Sequence, residues 1–326
     1  MKRLKTKNFE EYDGIIDERG KNVAWRYPKS ILKDSEFFEY DDSYDSEFGG
    51  SMPKMFVRCD SKVFKELIKD LSEPQCSYVT YFDDLIKSLG ESSKEYFPLS
   101  KIGVMVKSVH QDAYMNREEK ASRVANAFGV PCVYNKLVSV DNNKLVLSVD
   151  CLKENEEFVE IQSNYERHTI YGIDTAITAI VEGLQYLIDE DKMTNEQLEV
   201  LLEDFIETYL FKVYILNDGD FTLQNLSVIF NKETGNYKWA PLFDMEYTLK
   251  GSFSSQFAQV DLSKIMMMYP KKFDAVMRKF SKLNSKNGAT TLFKVAGIQG
   301  VGAYKRLGKL IDITNQITKD NDEMLR

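Results

Sequence analysis

Apolar positions along this chain follow two periods, with the change falling near residue 150. Before it they occur in short runs bounded by turn residues. Ile102-Gly103-Val104-Met105-Val106-Lys107-Ser108 has the pattern of a buried strand that carries one lysine. Val133–Val140 and Lys144–Val149 flank Asp141-Asn142-Asn143, whose turn chemistry predicts a hairpin. Asn116 to Phe128 predicts a helix with Ala121, Val124, Ala125 and Phe128 as its apolar stripe and Glu118 and Glu119 in its first turn. Gly129 suits its end, and Pro131 forbids continuation. Residues 61–71 predict a short amphipathic helix, and the acidic, tyrosine-rich stretch 34–47 predicts a loop.

Past Cys151-Leu152 the chain turns polar, and the pattern becomes helical. Ile173–Ile188 reads as an apolar helix. A second helix starts at Thr194, which forms a capping box with Gln197, and Leu198, Leu201, Leu202, Phe205, Tyr209 and Val213 recur at its buried face. Leu226–Asn231 and Asn236–Ala240 predict a hairpin across Lys232-Glu233-Thr234-Gly235. Helical patterns return around Leu262–Tyr269, Phe273–Leu283, Leu292–Val295 and Tyr304–Ile317. Met266-Met267-Met268 reads as core filling rather than a metal or heme box. Gly297 to Gly302 is no dinucleotide fingerprint, because no strand leads into it. The predicted class is α+β, with a β-rich part over 1–152 and a mostly helical part over 153–326.

Composition narrows the chemistry. With 326 residues there is room for two domains or one two-lobed fold. A net charge of −8 argues against direct nucleic-acid binding. No apolar run reaches the roughly 18 residues that a membrane span needs. The basic start MKRLKTKNFEEYDG lacks an apolar core and is not read as a secretory signal, so the expected location is the cytoplasm where the protein is made, with export left open. Four cysteines lie too far apart for a C-x-x-C pair, and two histidines leave no zinc spacing and little scope for histidine acid–base chemistry. The aspartates are left to carry the chemistry.

Asp220 is followed five residues later by Asn225, and the predicted hairpin then leads to Asp244. Phosphotransferases use this arrangement: the first carboxylate orients the attacking hydroxyl, while the amide oxygen and the second carboxylate hold magnesium on nucleotide phosphates. The turn residues Asn217-Asp218-Gly219 end the preceding helix and leave Asp220 on a loop. Two features of the first half suit the other side of such a site. Gly49-Gly50-Ser51 before Lys54 allows backbone N–H groups to approach phosphate, although two glycines before a strand are more often a plain turn. Lys107, on its strand, is either a phosphate-binding cation paired with the Glu118/Glu119 helix or a lysine snorkelling from a strand end.

On these residues the chain resembles the HipA-like serine/threonine protein kinases, whose D-x-x-x-x-N segment, hairpin and P-x-[YF]-D motif stand here as Asp220–Asn225 and Pro241-Leu242-Phe243-Asp244. The Gly49–Lys54 stretch is similar to that family's G-x-x-P-K phosphate loop. The resemblance implies a two-lobed protein-kinase-like fold that binds ATP and magnesium and phosphorylates Ser or Thr of a protein substrate, itself included. It implies Asp220 as catalytic base and Asn225 and Asp244 as magnesium ligands. Lys107 would bind phosphate, with Gly49, Gly50, Ser51, Lys54, Glu118, Glu119, Val149 and Asp150 also on the nucleotide side. Thr222 stands where the family usually has His, and the family's N-terminal subdomain is reduced or missing. Ser252, Ser254 and Ser255 lie where an activation-type loop would run. Small-molecule or lipid kinases and a nucleotide-binding pseudokinase are the other classes compatible with these residues.

Overall fold

The structure is a computed structural model that describes residues 6–7, 38–40, 54–60, 101–108, 112–133, 135–140, 143–149, 151–152, 155–159, 161–162, 170, 172–245 and 247–324. The strand patterns of the first half form a sheet of order β1-β2-β3-β4-β6-β5. Its strands are β1 (Thr6–Lys7), β2 (Phe38–Tyr40), β3 (Lys54–Asp60), β4 (Lys101–Ser108), β5 (Asn135–Val140) and β6 (Asn143–Val149). Pairing is antiparallel except between β1 and β2. Phe38–Tyr40 is thus a strand within the stretch expected to be loop; its aromatic residues suit a pleated surface. The helix expected over 61–71 lies outside the described residues.

Between β4 and β5 runs α1 (Asp112–Phe128), which starts one turn before the expected Asn116. Ala121, Val124 and Ala125 are fully buried and Phe128 nearly so. Gly129 ends the helix at φ 69°, where a side chain would be strained, and the Gly129 and Val130 amides return to Asn126 O and Ala125 O. The chain divides into two compact units, Met1–Glu119 with Val133–Glu154 and Lys120–Cys132 with Asn155–Arg326.

The second unit is mostly helical. Its helices are α2 (Ile173–Asp189), α3 (Asn195–Leu210), α4 (Ser255–Met268), α5 (Pro270–Ser281) and α6 (Lys286–Met324). Gly297, at φ 58° and ψ −134°, interrupts α6, which explains why two separate patterns appear there in the sequence. A small antiparallel sheet joins β7 (Glu156–Val159), β8 (Val228–Asn231) and β9 (Asn236–Trp239). The β8–β9 hairpin was expected, whereas β7 falls in the polar stretch. Its four residues are too short to show alternation, and the ladder to β8 together with the Glu156–Lys238 pair at 2.6 Å holds it.

The predicted face of α3 is the centre of this unit's core: Leu198, Leu201, Leu202, Phe205 and Tyr209 are buried among residues of α2, α4, α5 and α6. The methionine run is not core filling as a whole. Met266 packs against the core, but Met267 is 81 % and Met268 42 % exposed, because three consecutive helical positions cannot share one face. Among the described residues no helix is long and apolar enough to cross a membrane.

The capping box opens α3 as read from the sequence. Thr194 Oγ1 accepts from the Gln197 amide at 3.2 Å, and Gln197 Oε1 accepts from the Thr194 amide at 3.0 Å. Thr194→Ala is expected to cost about 1 kcal/mol, read as a lower urea midpoint at unchanged slope.

Candidate active site

The last turn of α3 widens into a π-helical segment, Phe211–Leu216, and the chain leaves it through Asn217 in the left-handed region at φ 51°. Such wide turns are uncommon and recur at functional sites. Lys212 in this segment and Asp218 just past it are sealed from water, both side chains 0 % exposed, with Nζ and Oδ2 3.2 Å apart. The two meet as charges rather than in hydrogen-bond alignment, and the ammonium also lies 5.0 Å above the Phe221 ring. Asp218 N–H donates to Lys212 O at 3.0 Å, and Asp218 Oδ1 accepts from the Asp220 amide at 3.0 Å. Phe221, 1 % exposed, stacks on Phe205 and meets Tyr209 at a tilt. Asp220 is therefore held from both sides, by an Asp218 turn before it and a buried ring after it.

A 3₁₀ turn, Leu223–Asn225, brings Asn225 back under this loop, and its amide Nδ2 donates to Asp220 O at 2.6 Å. Thr222 is 7 % exposed with extended backbone, so position 222 faces the interior rather than solvent. After β9, the bridge from Leu242 to Cys132 and the Leu242 N–H to Pro131 O bond at 3.0 Å fix the chain just ahead of Asp244. Asp244 itself has φ 54°, which costs a non-glycine residue energy and is tolerated best by Asp and Asn.

The Asp220 loop and the segment after Asp244 are bonded along their length. Leu249 N–H donates to Leu216 O at 2.6 Å, Gly219 N–H to Tyr247 O at 3.4 Å, and Asn217 Nδ2 to Lys250 O. Below them, Asp261 of α4 accepts from Tyr209 OH at 2.8 Å, Tyr214 OH at 2.5 Å and the Ile173 amide at 2.7 Å. Burial first, and then the Asp261 charge, push both phenols up, so they remain donors.

Partial burial holds the Asp220 carboxyl above the usual carboxylate range. The charges of Asp218 and Asp244 push the same way, while the Asn225 amide and Lys212 ammonium oppose them. Asp244 is thus close enough for its charge to be felt at Asp220. Two carboxylates and an amide oxygen make a hard-oxygen donor set, which fits magnesium. Among the described residues no group of three His, Cys, Asp or Glu side chains is placed to hold a metal without other ligands. Magnesium commonly completes its shell with water and substrate phosphate oxygens.

In the first unit, the register sets Lys54 opposite Lys107 on β3 and β4, and Val149 opposite Val104 on β6 and β4. Glu118 and Glu119 are buried on α1, and Glu119 Oε1 lies 3.1 Å from Lys136 Nζ on β5. The side chains of Lys54, Lys107 and Val149 are outside the described ones, as are Gly49, Gly50, Ser51 and Asp150 entirely. The structure thus brings Asp220, Asn225 and Asp244 together, and places Lys54 beside Lys107 along the sheet. Lys136, Lys212, Asp218 and Asp261 escape the sequence reading. The first two have a signal, a lysine inside an apolar run, the same criterion that picks out Lys107.

A carboxylate on a hydrogen-bonded loop, with an asparagine and a second carboxylate near it, is chemically able to accept from a hydroxyl and to donate oxygen to a cation. No family model and no curated protein matches the chain. Among solved structures it is similar to the Helicobacter pylori proinflammatory kinase CtkA, at TM-score 0.49 and 14 % identity over 88 % of this chain and 97 % of that one. It is also similar to a chain of the Shewanella oneidensis MR-1 toxin–antitoxin complex of HipA, HipB and operator DNA, at TM-score 0.42 and 10 % identity over 66 % of this chain and 60 % of that one. Likeness at this level assigns neither family nor activity to the chain.

Two outcomes test the electrostatics. Lys212→Met leaves Asp218 charged and buried and should cost about 3–5 kcal/mol; Lys212→Met with Asp218→Asn should recover most of it, in a double-mutant cycle of denaturant stability. Asp220→Asn should raise the melting temperature at pH 7 by about 1–2 °C, because an ionised Asp220, its proton affinity raised by folding, disfavours the folded state. The sign follows from the raised direction: the advantage shrinks as pH falls through the folded-state value and is gone below the ordinary carboxylate range, where both states hold the proton.

Proposed function

We propose that the chain is a HipA-like protein kinase that transfers the γ-phosphoryl group of ATP, with magnesium, to a Ser or Thr hydroxyl. The observation that carries this reading is the joining of Asp220, Asn225 and Asp244: an amide bond from Asn225 to the Asp220 backbone, and a charge on Asp244 felt at the Asp220 carboxyl. In this role the Asp220 carboxylate accepts a hydrogen bond from the acceptor hydroxyl and aligns it for attack. Its raised proton affinity suits it to take up the hydroxyl proton as the new bond to phosphorus forms. Asn225 and Asp244 would hold magnesium, which supplies charge neutralisation on the phosphates when bound. Lys107 and Lys54, neighbours on β3 and β4, would bind phosphate from ATP, with Gly49, Gly50 and Ser51 as their loop. Glu118, Glu119, Val149 and Asp150 would line the nucleotide side. Because position 222 faces the interior, Thr222 in place of His alters packing rather than removing a group that meets substrate.

The acceptor is proposed to include this chain. Ser252, Ser254 and Ser255 are all exposed, and Lys309 Nζ stands 3.4 Å from Ser252 Oγ, ready to pair with a phosphate there.

Incubation of the full chain with labelled ATP, magnesium and a generic protein substrate should label the substrate, the chain or both. Asp220→Asn should cut the rate by about 10³-fold, and Asp244→Ala, which removes a proposed magnesium ligand, should abolish transfer. Peptide mapping should find the self-label between residues 251 and 256. Nucleotide binding without transfer would instead establish a pseudokinase, and transfer only to small hydroxyl compounds or lipids would establish a different kinase class.

A further inference from the structure

Arg306 lies in the second part of α6, 4 % exposed, with no carboxylate bonded to it among the described residues. Its Nε donates to Ile215 O at 2.6 Å and its Nη1 to Gly251 O at 3.1 Å, while Nη2 is buried without a hydrogen-bond partner. Burial pushes the guanidinium down to about 10. A cation taken out of water without an anion is costly, and an apolar side chain would fill the same space at less expense. What arginine offers and an apolar residue lacks is a planar, always-charged fork that spans two acceptors at a set spacing.

The acceptors are telling. Ile215 belongs to the π-helical segment and stands five residues before Asp220; Gly251 stands seven after Asp244. The carbonyl of Ile215 is one of those that a helix end leaves without an internal partner. Between Ile215 and Gly251 lie the rungs already described, at Leu216–Leu249, Asn217–Lys250 and Gly219–Tyr247. Arg306 closes that ladder at the end away from the carboxylates. One turn before it, Gly302 leaves room for the fork: a Cβ there would come within 3.3 Å of Nη1 and 3.8 Å of Nη2. Glycine is a poor helix former, so its presence inside α6 fits a need for that space. Lys309, one turn further on, continues the contact outward, donating to Phe253 O and lying 4.7 Å above the Phe253 ring.

We infer that Arg306 is a positioning residue for phosphoryl transfer, its fork setting the spacing between the segment that carries Asp220 and the segment that carries Asp244. It touches neither carboxylate. It acts through two backbone carbonyls, and through them on where the acceptor hydroxyl and the cation-bound phosphate meet. The inference rests on the proposed kinase reading for its catalytic part, though not for its structural part.

The test uses the full chain with Arg306→Lys, Arg306→Gln and Gly302→Ala, and reads hydrogen exchange beside kinetics. Arg306→Gln and Arg306→Lys should speed amide exchange in peptides covering 215–221 and 245–252, while peptides from α2 exchange as in wild type. In the same variants kcat should fall by about 100-fold, the cost of a misplacement near 1 Å, with the KM for ATP nearly unchanged. Lysine should not rescue, because an ammonium lacks the fork. Gly302→Ala keeps the charge and should reproduce part of both effects. Wild-type exchange and wild-type kcat in Arg306→Lys would overturn the inference, since charge alone would then suffice. Should wild type transfer no phosphate, the kinase reading fails while the exchange arm still decides Arg306: unchanged exchange in Arg306→Gln defeats it. Should Arg306→Gln not fold, Gly302→Ala and Arg306→Lys carry the same comparison.

Discussion

A lysine ammonium buried at the end of a helix is costly to leave without a counter-charge, and the Lys212–Asp218 pair supplies one at the point where the chain must turn. The rest of the candidate site depends on it. Asp218 has two oxygens; one faces the ammonium and the other takes the Asp220 amide. The ion pair therefore sets the backbone of the Asp220 loop, and Phe221 beneath the ammonium makes the next residue part of the core. A loop fixed this way presents the Asp220 carboxyl from one backbone geometry.

Around this pair the unit spends polar contacts rather than apolar area. Asp261 collects three donors, Arg306 serves two carbonyls, and the Asp220 and Asp244 segments share main-chain bonds. These bonds lie against a core of α2, α3, α4, α5 and α6 residues that excludes water. A hydrogen bond in such surroundings is directional and costly to leave unmade, so the arrangement specifies one geometry for the loop. Asp244, held at φ 54°, and Asp220, held with two like charges nearby, are the positions where stability is given up.

Much of this was open to reading from the chain itself. The Asp220, Asn225 and Asp244 spacing is legible because three polar residues interrupt otherwise apolar elements at separations that a turn and a hairpin explain. The capping box at Thr194 and the face of α3 are legible because both are local. Lys212 and Asp218 are not, because a lysine in an apolar run looks the same whether it snorkels or is sealed, and only tertiary packing decides. Arg306 is less visible still: its acceptors are backbone carbonyls, some 55 and 91 positions away in the chain, and carbonyls carry no residue signature. β7 was hidden by its brevity, and the exposed Met267 and Met268 by the habit of counting methionine as interior.

The wide turn at Phe211–Leu216 has a geometric effect beyond shaping the loop. Tyr209 and Tyr214 are five residues apart, which on an ordinary α-helix would point them about 140° away from each other. Yet both hydroxyls reach the same Asp261 oxygen. The π turn, with its i to i+5 repeat, brings them onto one side. It works as a phase shifter inserted between the helix and the loop: the rotation that aligns the two tyrosines also sets the direction in which Asp220 leaves the helix. Wound as a plain α-helix with no residue removed, the same segment would part the tyrosines and swing the carboxylate by about 100°.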